Sequence, residues 1–330
     1  MVRLRPLFTA LLMVAALSAR PALAGNGKDQ LKAVPKDFAG VLVVNLEQLN
    51  RAPLFQDIFK MMSANPEAQK SLAETREKLG MDPMAAIKTL VVAIPKGIQG
   101  EGLVLATSAA AASKIEAAAR EAGMKGKETF LGATVLKSDN GEALGLAGDQ
   151  IYAGRLNLVK DALSTVKGKG GSLEKNAAVA RLVGSAPQSK DIWFAAQVTG
   201  QKQGELQHVK SARGGIDLEK GVDVQVVVTM DSAAEATKMV TQAKTGLEQA
   251  KAQPQAKMMG LDAIAAKMDI KAKGADIELH LPLDEADVNK LKGTLGMMMM
   301  MAGAAGGMGG GMGAPAPAQP LQMPPPPPKP

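Results

Sequence analysis

The amino-acid sequence predicts an α+β fold: a mostly antiparallel sheet built from repeated β-hairpin–α units, with helices on one face and a disordered C-terminal tail. Two observations lead to this prediction. Short segments that alternate apolar and polar residues come in pairs joined by a tight turn. Each pair is followed by a segment whose apolar residues recur every three or four positions, as in a helix. Strands joined by tight turns pair antiparallel, and helices then cover the apolar face of the sheet.

The clearest unit runs from Lys267 to Gly296. Apolar residues alternate with polar ones on both sides of a turn at Gly274, and the second strand ends near Leu283. Strict alternation places one side of such a hairpin on a core and the other side in water. Asp284 is expected to cap the following helix, because its side chain can accept a hydrogen bond from the first turn.

Two further units have the same pattern. One begins at Gly215 and leads into a helix that either Asp231 or Ser232 is expected to cap, with a buried stripe formed by Ala236, Met239, Ala243, Leu247 and Ala250. The other spans Ile87–Gly123, where LVVAI and GLVLA are the predicted strands and Ser108 is the expected helix cap. The sequence thus predicts at least three hairpins that are each followed by a helix.

Other strands and helices lie around these units. A meander from Glu128 to Gly154 turns at Asn140-Gly141, a strong hairpin signal. VLVVNLEQL is the predicted first strand, and two helical stretches follow it, of which the longer ends at Gly80. The stretch DIWFAAQV, which begins at Asp191, is predicted to be the opening strand of a second half of the fold.

The first 24 residues have the layout of a secretory signal peptide. Arg3 and Arg5 precede an apolar run that is too short to span a bilayer, and small residues at positions 22 and 24 favour cleavage after Ala24. No cysteine follows the cleavage site, so a lipoprotein is not expected. The sequence predicts export by a Sec-type signal in a bacterium, a periplasmic or secreted location, and no transmembrane segment in the mature chain.

We divide the chain into five parts. Residues 1–24 are the signal peptide and residues 25–35 a polar lead-in. Residues 36–187 and 188–296 are the two α+β halves. Residues 297–330 form the tail, which is rich in Met, Gly and Pro and is expected to be disordered, since such a composition buries too little apolar surface to order itself.

Charge and composition exclude several classes of function. Removal of residues 1–24 takes away three arginines and no acids, which lowers the net charge from +7 to +4. Basic residues are scattered among acids and aromatic residues are 2% of the chain, so we expect no nucleic-acid partner. The chain has no cysteine, which excludes thiol catalysis and cysteine-based metal sites.

Only two histidines are present, and neither lies in a catalytic motif. His280 falls on the polar side of a predicted strand beside Glu278, and we interpret it as solvated rather than as the base of a hydrolase. His208 lies with Lys210 and Arg213 in a polar segment that could bind an anion, although a surface cluster is the simpler interpretation. No catalytic residue is therefore assigned.

The remaining motifs also favour structural interpretations. KGKGGS lacks the Walker pattern and precedes a helix, which indicates a loop between helices rather than a phosphate site. The stretch LKSDNGEALGLAGDQ lacks the spacing of a calcium loop and is interpreted as a hairpin turn. We expect no cofactor.

Seven of the 20 methionines lie between Met297 and Gly313, which leaves four alternatives for the tail. In the first, the start of the tail extends the last helix by one turn and packs on the domain. In the second the tail docks on an envelope protein, and in the third it inserts into a membrane. In the fourth it binds Cu(I), since soft thioethers select that ion. The candidate copper ligands are Met297, Met298, Met301, Met308 and Met312.

Two segments carry a resemblance to a known group of proteins. VPKDFAGVLVVNLEQLNRAPLFQ (Val34–Gln56) and LGMDPMAAIKTLVVAIP (Leu79–Pro95) resemble the openings of exported, uncharacterised bacterial proteins. The resemblance covers about the first quarter of the mature chain. It implies export and an α+β fold, and it assigns no active residue.

The functional expectation is a non-enzymatic binding or structural module of the cell envelope. The alternatives are Cu(I) handling through the tail and a hydrolase without a recognisable motif. The sequence leaves the partner and the oligomeric state open.

Overall fold

The structure, a computed structural model, describes residues 27–63, 66–82, 85–96, 101–198, 207–254, 260–290 and 292–293. The predicted α+β class and the large antiparallel sheet are confirmed. Residues 1–24, predicted to be the signal peptide, and residues 297–330, the predicted tail with its five candidate copper ligands, lie outside the described residues.

The first part of the chain contributes seven strands and seven helices among the described residues. The strands are β1 (Gly40–Asn45), β2 (Ile87–Ile94), β3 (Leu103–Ser108), β4 (Gly126–Phe130), β5 (Ala133–Lys137), β6 (Glu142–Ala147) and β7 (Gln150–Arg155). The helices are α1 (Lys28–Leu31), α2 (Leu46–Leu49), α3 (Pro53–Ser63), α4 (Pro66–Leu79), α5 (Ala112–Glu121), α6 (Leu156–Val166) and α7 (Ala177–Ser185).

The second part adds five described strands and three described helices. The strands are β8 (Ile192–Gln197), β9 (Val209–Asp217), β10 (Gly221–Met230), β11 (Asp269–Lys273) and β12 (Asp276–Asp284). The helices are α8 (Ala233–Ala252), α9 (Leu261–Lys267) and α10, of which residues 285–290 and 292–293 are described.

All twelve strands join in one sheet with the order β11-β12-β10-β9-β8-β1-β2-β3-β7-β6-β5-β4, and every recorded pairing is antiparallel. The first strand of each part lies at the centre, where Val43 of β1 pairs with Trp193 of β8. The division into two halves stays a prediction, because their strands form a continuous sheet through this central pair.

Most of the local signals are confirmed. Gly274 has φ 62° in the β11–β12 turn, a left-handed conformation that glycine adopts without strain. The backbone N–H of Asp287 donates to Asp284 Oδ1 at 3.0 Å, and that of Glu235 donates to Ser232 Oγ at 3.2 Å. Asp284 and Ser232 therefore cap α10 and α8, as their types and positions predict.

Three local predictions need correction. The first strand ends at Asn45, because its side chain accepts a hydrogen bond from the backbone of Gln48 at 3.3 Å and starts α2 within VLVVNLEQL. Ser108 is buried and accepts from the backbone N–H of Ala110 at 3.0 Å, so it forms a turn ahead of α5 instead of capping it. The predicted buried stripe of α8 is confirmed only at Ala236, in the first turns, since Ala243 is exposed.

Neighbouring residues of β8 define the two faces of the sheet, which we call the tryptophan face (Trp193) and the phenylalanine face (Phe194). Residues of α1 and α6 pack on the tryptophan face of β1–β7, and α7 packs on the same face of β8 and β9. Residues of α2 and α5 pack on the phenylalanine face of these strands, and α8 packs on the same face of β9–β12. The helices thus cover both faces of the first part, whereas the alternating units predicted one face. Segments such as LVVAI, apolar at consecutive positions, require burial on both sides.

The predicted polar lead-in is part of the fold from Gly27 onward. Leu31 and Val34 are 4% and 0% exposed and lie in the core of the tryptophan face. Gln30 is also buried, and its side chain donates to the hydroxyl of Thr107 on β3. Although this segment is polar in composition, two of its apolar residues anchor it in the core.

Within the described residues, no helix is both long and apolar enough to span a membrane.

Candidate functional site

A row of half-buried apolar residues crosses the phenylalanine face. Direct strand pairing aligns one residue from each of seven neighbouring strands in this apolar row: Val104, Val92, Leu42, Phe194, Gly214, Val226 and Leu279. Each side chain of the row is half-buried, and only Gly214, which has no side chain, is buried. At about 4.8 Å per strand, the row is roughly 29 Å long.

The other face of four of these strands, β1, β2, β3 and β8, is fully buried. Leu105, Val91 and Val43 are each 0% exposed, and Trp193 is 1% exposed. On the phenylalanine face, two buried clusters lie at either side of the row, one under α2 and α5 and the other under α8. No residue of the apolar row is a buried member of either cluster, although Leu279 packs against the cluster under α8. The row therefore lies between two helix layers and is only partly covered by them.

Gly214 shapes the middle of the apolar row. A Cβ atom at this position would lie 2.4 Å from the carbonyl oxygen of Gln225 and 3.0 Å from Cε1 of Phe194. The aromatic ring of Phe194 therefore lies against the backbone of the neighbouring strand, where any side chain would displace it. This contact fixes the largest side chain of the row.

The tryptophan face of the second part carries a cluster of charged residues instead. Asp223 is at its centre: Lys190 Nζ donates to Asp223 Oδ2 at 2.5 Å, and His280 Nε2 lies 2.8 Å from Asp223 Oδ1. Lys190 Nζ also lies 3.6 Å from Asp217 Oδ2. The Lys190 side chain is only 15% exposed, so its two carboxylate partners stabilise a charge that water reaches poorly.

The ion pairs shift the pKa values of this cluster in opposite directions. Burial acts to raise the pKa of Asp223, but hydrogen bonds from Lys190 and His280 outweigh it and hold that pKa below its ordinary value. Burial acts to lower the pKa of Lys190, and the hydrogen bond and charge of Asp223 reverse this, so that pKa is raised. Burial raises the pKa of the neighbouring Asp191, although the backbone of Leu218 donates a hydrogen bond to it.

An open depression of about 710 Å³ lies beside this cluster at the end of β10 and β12. Its lining includes the lysines Lys190, Lys220 and Lys267 and the acids Asp217, Glu219, Asp223 and Asp284. Lys267 donates to Asp284 at 3.1 Å, so two of the three lysines already have carboxylate partners. Charges of both signs are mixed here, three lysines with four acids, and the depression is not suited to select one kind of ion.

Replacement of Asp223 by asparagine is expected to lower the free energy of unfolding by about 1 kcal/mol at pH 7, since a third of the side chain is exposed and water screens the ion pair. Because the folded-state pKa of Asp223 is lowered, this stabilisation is fully present above the unfolded pKa of about 3.9 and is lost as the pH falls through the folded value. Urea unfolding of both proteins between pH 2.5 and pH 7 measures the difference.

Asp191→Asn is the control, because the contribution of Asp191 to stability is expected to change with pH in the opposite direction. The folded-state pKa of Asp191 is raised, so its contribution is most favourable below about pH 3.9 and is lost as the pH rises through the folded value. The variant is expected to match the wild type at acidic pH and to be at least as stable at pH 7, since an amide oxygen still accepts from Leu218. Identical pH dependence for the Asp191 and Asp223 variants would contradict these assignments.

The two histidines lie in different places. His280 is on the polar side of β12, as predicted, and its partner is Asp223 across the strand pair rather than Glu278. His208 lies 3.6 Å from Asp231 Oδ2 and 3.9 Å from Glu235 Oε2, so carboxylates surround it. Two carboxylates so close are unfavourable for a bound anion, and they favour the surface cluster over the anion site.

The remaining motif residues have the structural roles that the sequence favours. KGKGGS forms the loop after α6, where the carbonyl of Gly171 accepts from the backbone of Lys36 at 2.8 Å. Asn140-Gly141 forms the β5–β6 turn, with Gly141 at φ 81°. Among the residues that the structure describes, no three His, Asp or Glu side chains are grouped to hold a metal ion.

Neither the apolar row nor the central position of Asp223 was predicted from the sequence. Asp223 and His280 both occupy polar positions in strands that alternate polar and apolar residues. Such positions share one face of a hairpin sheet, and this is the signal that could have linked the two residues. The residues of the row are recognisable in the sequence only as the apolar positions of these strands. Nothing in the sequence indicates that they are only partly buried.

No protein-family model and no curated protein matches the chain. Two solved structures are similar to it: crystal form I of TP0453, with TM-score 0.42 and 9% identity, and crystal form IV of TP0453, with TM-score 0.44 and 8% identity. Each comparison covers 79% of this chain and 94% of the other chain. Since both TM-scores are below 0.5, this similarity supports no inference about function.

Proposed function

We propose that the mature chain is an exported, non-enzymatic binding module of the cell envelope, and that the apolar row is its binding surface. The observation that carries this proposal is that six apolar side chains, in register between two helix layers, are only partly buried. Isolated exposed apolar residues are ordinary, whereas a contiguous apolar surface marks a binding site.

The shape of the surface defines the partner that fits it. The apolar row is one residue wide on each strand and roughly 29 Å long, so it suits an elongated apolar partner. The strands of the row are hydrogen-bonded to neighbours on both sides. A partner therefore binds through apolar side-chain contacts, which contribute about 25 cal/mol per Å² of apolar surface buried.

Two further observations support the export and non-enzymatic parts of the proposal. Residues 1–24 have the charge and length pattern of a signal peptide. The charged side chains around Asp223 are paired with one another, which is how structural ion pairs are arranged.

Two matched lysine substitutions on β10 test the proposal. Val226→Lys places a charge in the apolar row, and Gln225→Lys places the same side chain on the opposite, polar face of the same strand. Each variant and the wild type are cross-linked to partners in living cells, and the captured complexes are quantified after purification. We expect Val226→Lys to reduce capture at least tenfold and Gln225→Lys to leave it unchanged.

Two results would overturn the proposal. Equal capture by both variants would show that the apolar row is not the binding surface. A specific turnover activity that purifies with the wild-type chain would show that the protein is an enzyme. Circular dichroism of both variants confirms beforehand that they are folded.

A further inference from the structure

Helix α3 carries an apolar stripe that the described part of the chain leaves open. Leu54, Ile58 and Met61 follow one another at spacings of four and three residues, which places them on one side of the helix. Ile58 and Met61 are each 40% exposed. Phe55, on the adjoining side, packs against the core of the phenylalanine face. One side of the helix therefore packs on the fold, while Ile58 and Met61 of the stripe remain exposed and Leu54 is half-buried.

An ion pair brings the end of the described chain to this helix. Lys292 Nζ in α10 lies 2.6 Å from Asp57 Oδ2 in α3, and the hydrogen bond from Lys292 lowers the pKa of Asp57. Asp57 is one residue before Ile58 and four before Met61, so on the helix surface it borders the stripe. The segment that follows Lys292 therefore starts beside the exposed side chains.

The sequence after Lys292 continues the apolar periodicity of α10. Val288 is 4% exposed and faces the fold. Positions 288, 292, 295 and 299 are separated by four, three and four residues, so a continued helix would place Leu295 and Met299 on the side of Val288 and Lys292. At 1.5 Å per residue, Met299 is about 10 Å beyond Lys292 along such a helix, within reach of the stripe.

We propose that the segment Met297–Met301 docks on the apolar stripe of α3, formed by Leu54, Ile58 and Met61. This inference goes beyond the proposed function, because the stripe is separate from the apolar row. Methionine suits the contact, since its unbranched thioether side chain adapts to an irregular apolar surface. Gly293 and Gly296 each disfavour a continued helix by about 1 kcal/mol, so the contact with α3 is what would stabilise it.

We assign the docking site to this chain's own segment because the covalent link raises the effective concentration of the segment at α3. A segment held a few residues from its site competes at roughly millimolar concentration without any added partner. The anchoring ion pair is already present, and it determines which side of α3 the segment reaches.

A pair of introduced cysteines tests the proposal without interference, since the chain has no cysteine of its own. Met61→Cys combined with Met299→Cys is compared with the control Val166→Cys combined with Met299→Cys. Val166 is 49% exposed and lies on α6, on the opposite face of the sheet. In dilute mature protein we expect intramolecular disulfide formation to be at least tenfold faster in the Met61 pair. Asp57→Asn should slow it severalfold.

Equal rates for the two pairs would overturn the proposal. Disulfides that form between chains, at a rate that rises with protein concentration, would assign the stripe to a second copy and also overturn it. As an independent measurement, thiol alkylation of Met61→Cys is compared between the mature chain and a version that ends at Gly296. The segment is expected to slow alkylation severalfold in the longer chain, and equal rates would contradict docking.

Discussion

Replacement of Gly40 by alanine is expected to reduce the free energy of unfolding by about 3 kcal/mol. A Cβ atom at Gly40 would lie 2.2 Å from the carbonyl oxygen of Ala195 and 2.4 Å from Cα of Ala196. Both atoms belong to the backbone of β8, which cannot move away as a flexible side chain can. The added methyl group must therefore separate β1 from β8, the pair that joins the two parts of the sheet. Urea unfolding followed by circular dichroism measures the loss.

Gly184→Ala is the matched control for this prediction. Gly184 lies in α7, and no atom lies within 4 Å of a Cβ built there. Alanine is favoured over glycine in a helix by about 1 kcal/mol, so the same chemical change should stabilise the protein slightly. A Gly40 variant as stable as the wild type would show that the central strand pair is not as close as the structure places it.

Trp193→Ala is expected to destabilise the protein by about 3–5 kcal/mol, because it removes a fully buried aromatic side chain and leaves a cavity. Trp193 is 1% exposed and lies in the core of the tryptophan face. It is also the only tryptophan, so unfolding must be followed by circular dichroism rather than by intrinsic fluorescence.

Phe194→Ala, at the next position of the same strand, is the control. Phe194 is half-buried in the apolar row, and its truncation is expected to cost about half as much, since apolar stabilisation scales with the area removed from water. The two variants thus compare the two faces of the central strands directly. Equal losses would indicate that the phenylalanine face is fully covered in solution, and would remove the basis for the proposed binding surface.

The features that the sequence predicted correctly are those with local causes. The turn at Gly274 and the caps at Ser232 and Asp284 each depend on residues within four positions of one another. Alternation of apolar and polar residues is also a local signal. It identified the hairpins because it indicates which side of a strand faces a core.

The features that could not be predicted depend on residues far apart in the chain. Alternation does not specify which strand is the neighbour, so the pairing of β1 with β8 has no local signature. Lys190, Asp223 and His280 come from a loop and two strands, and only this strand order brings them together. The exposure of the apolar row depends on how far α8 and α5 extend over the sheet, a property that no strand carries in its own sequence.

The central position of β1 has a consequence for the order of folding. A chain delivered from its N-terminus presents β1 early, and β2, its neighbour on one side, follows soon after. Its neighbour on the other side, β8, begins only at Ile192, so one edge of β1 stays unpaired until more than half of the chain has emerged. Closing such a distant contact is slow, and an unpaired apolar strand can pair with other chains meanwhile.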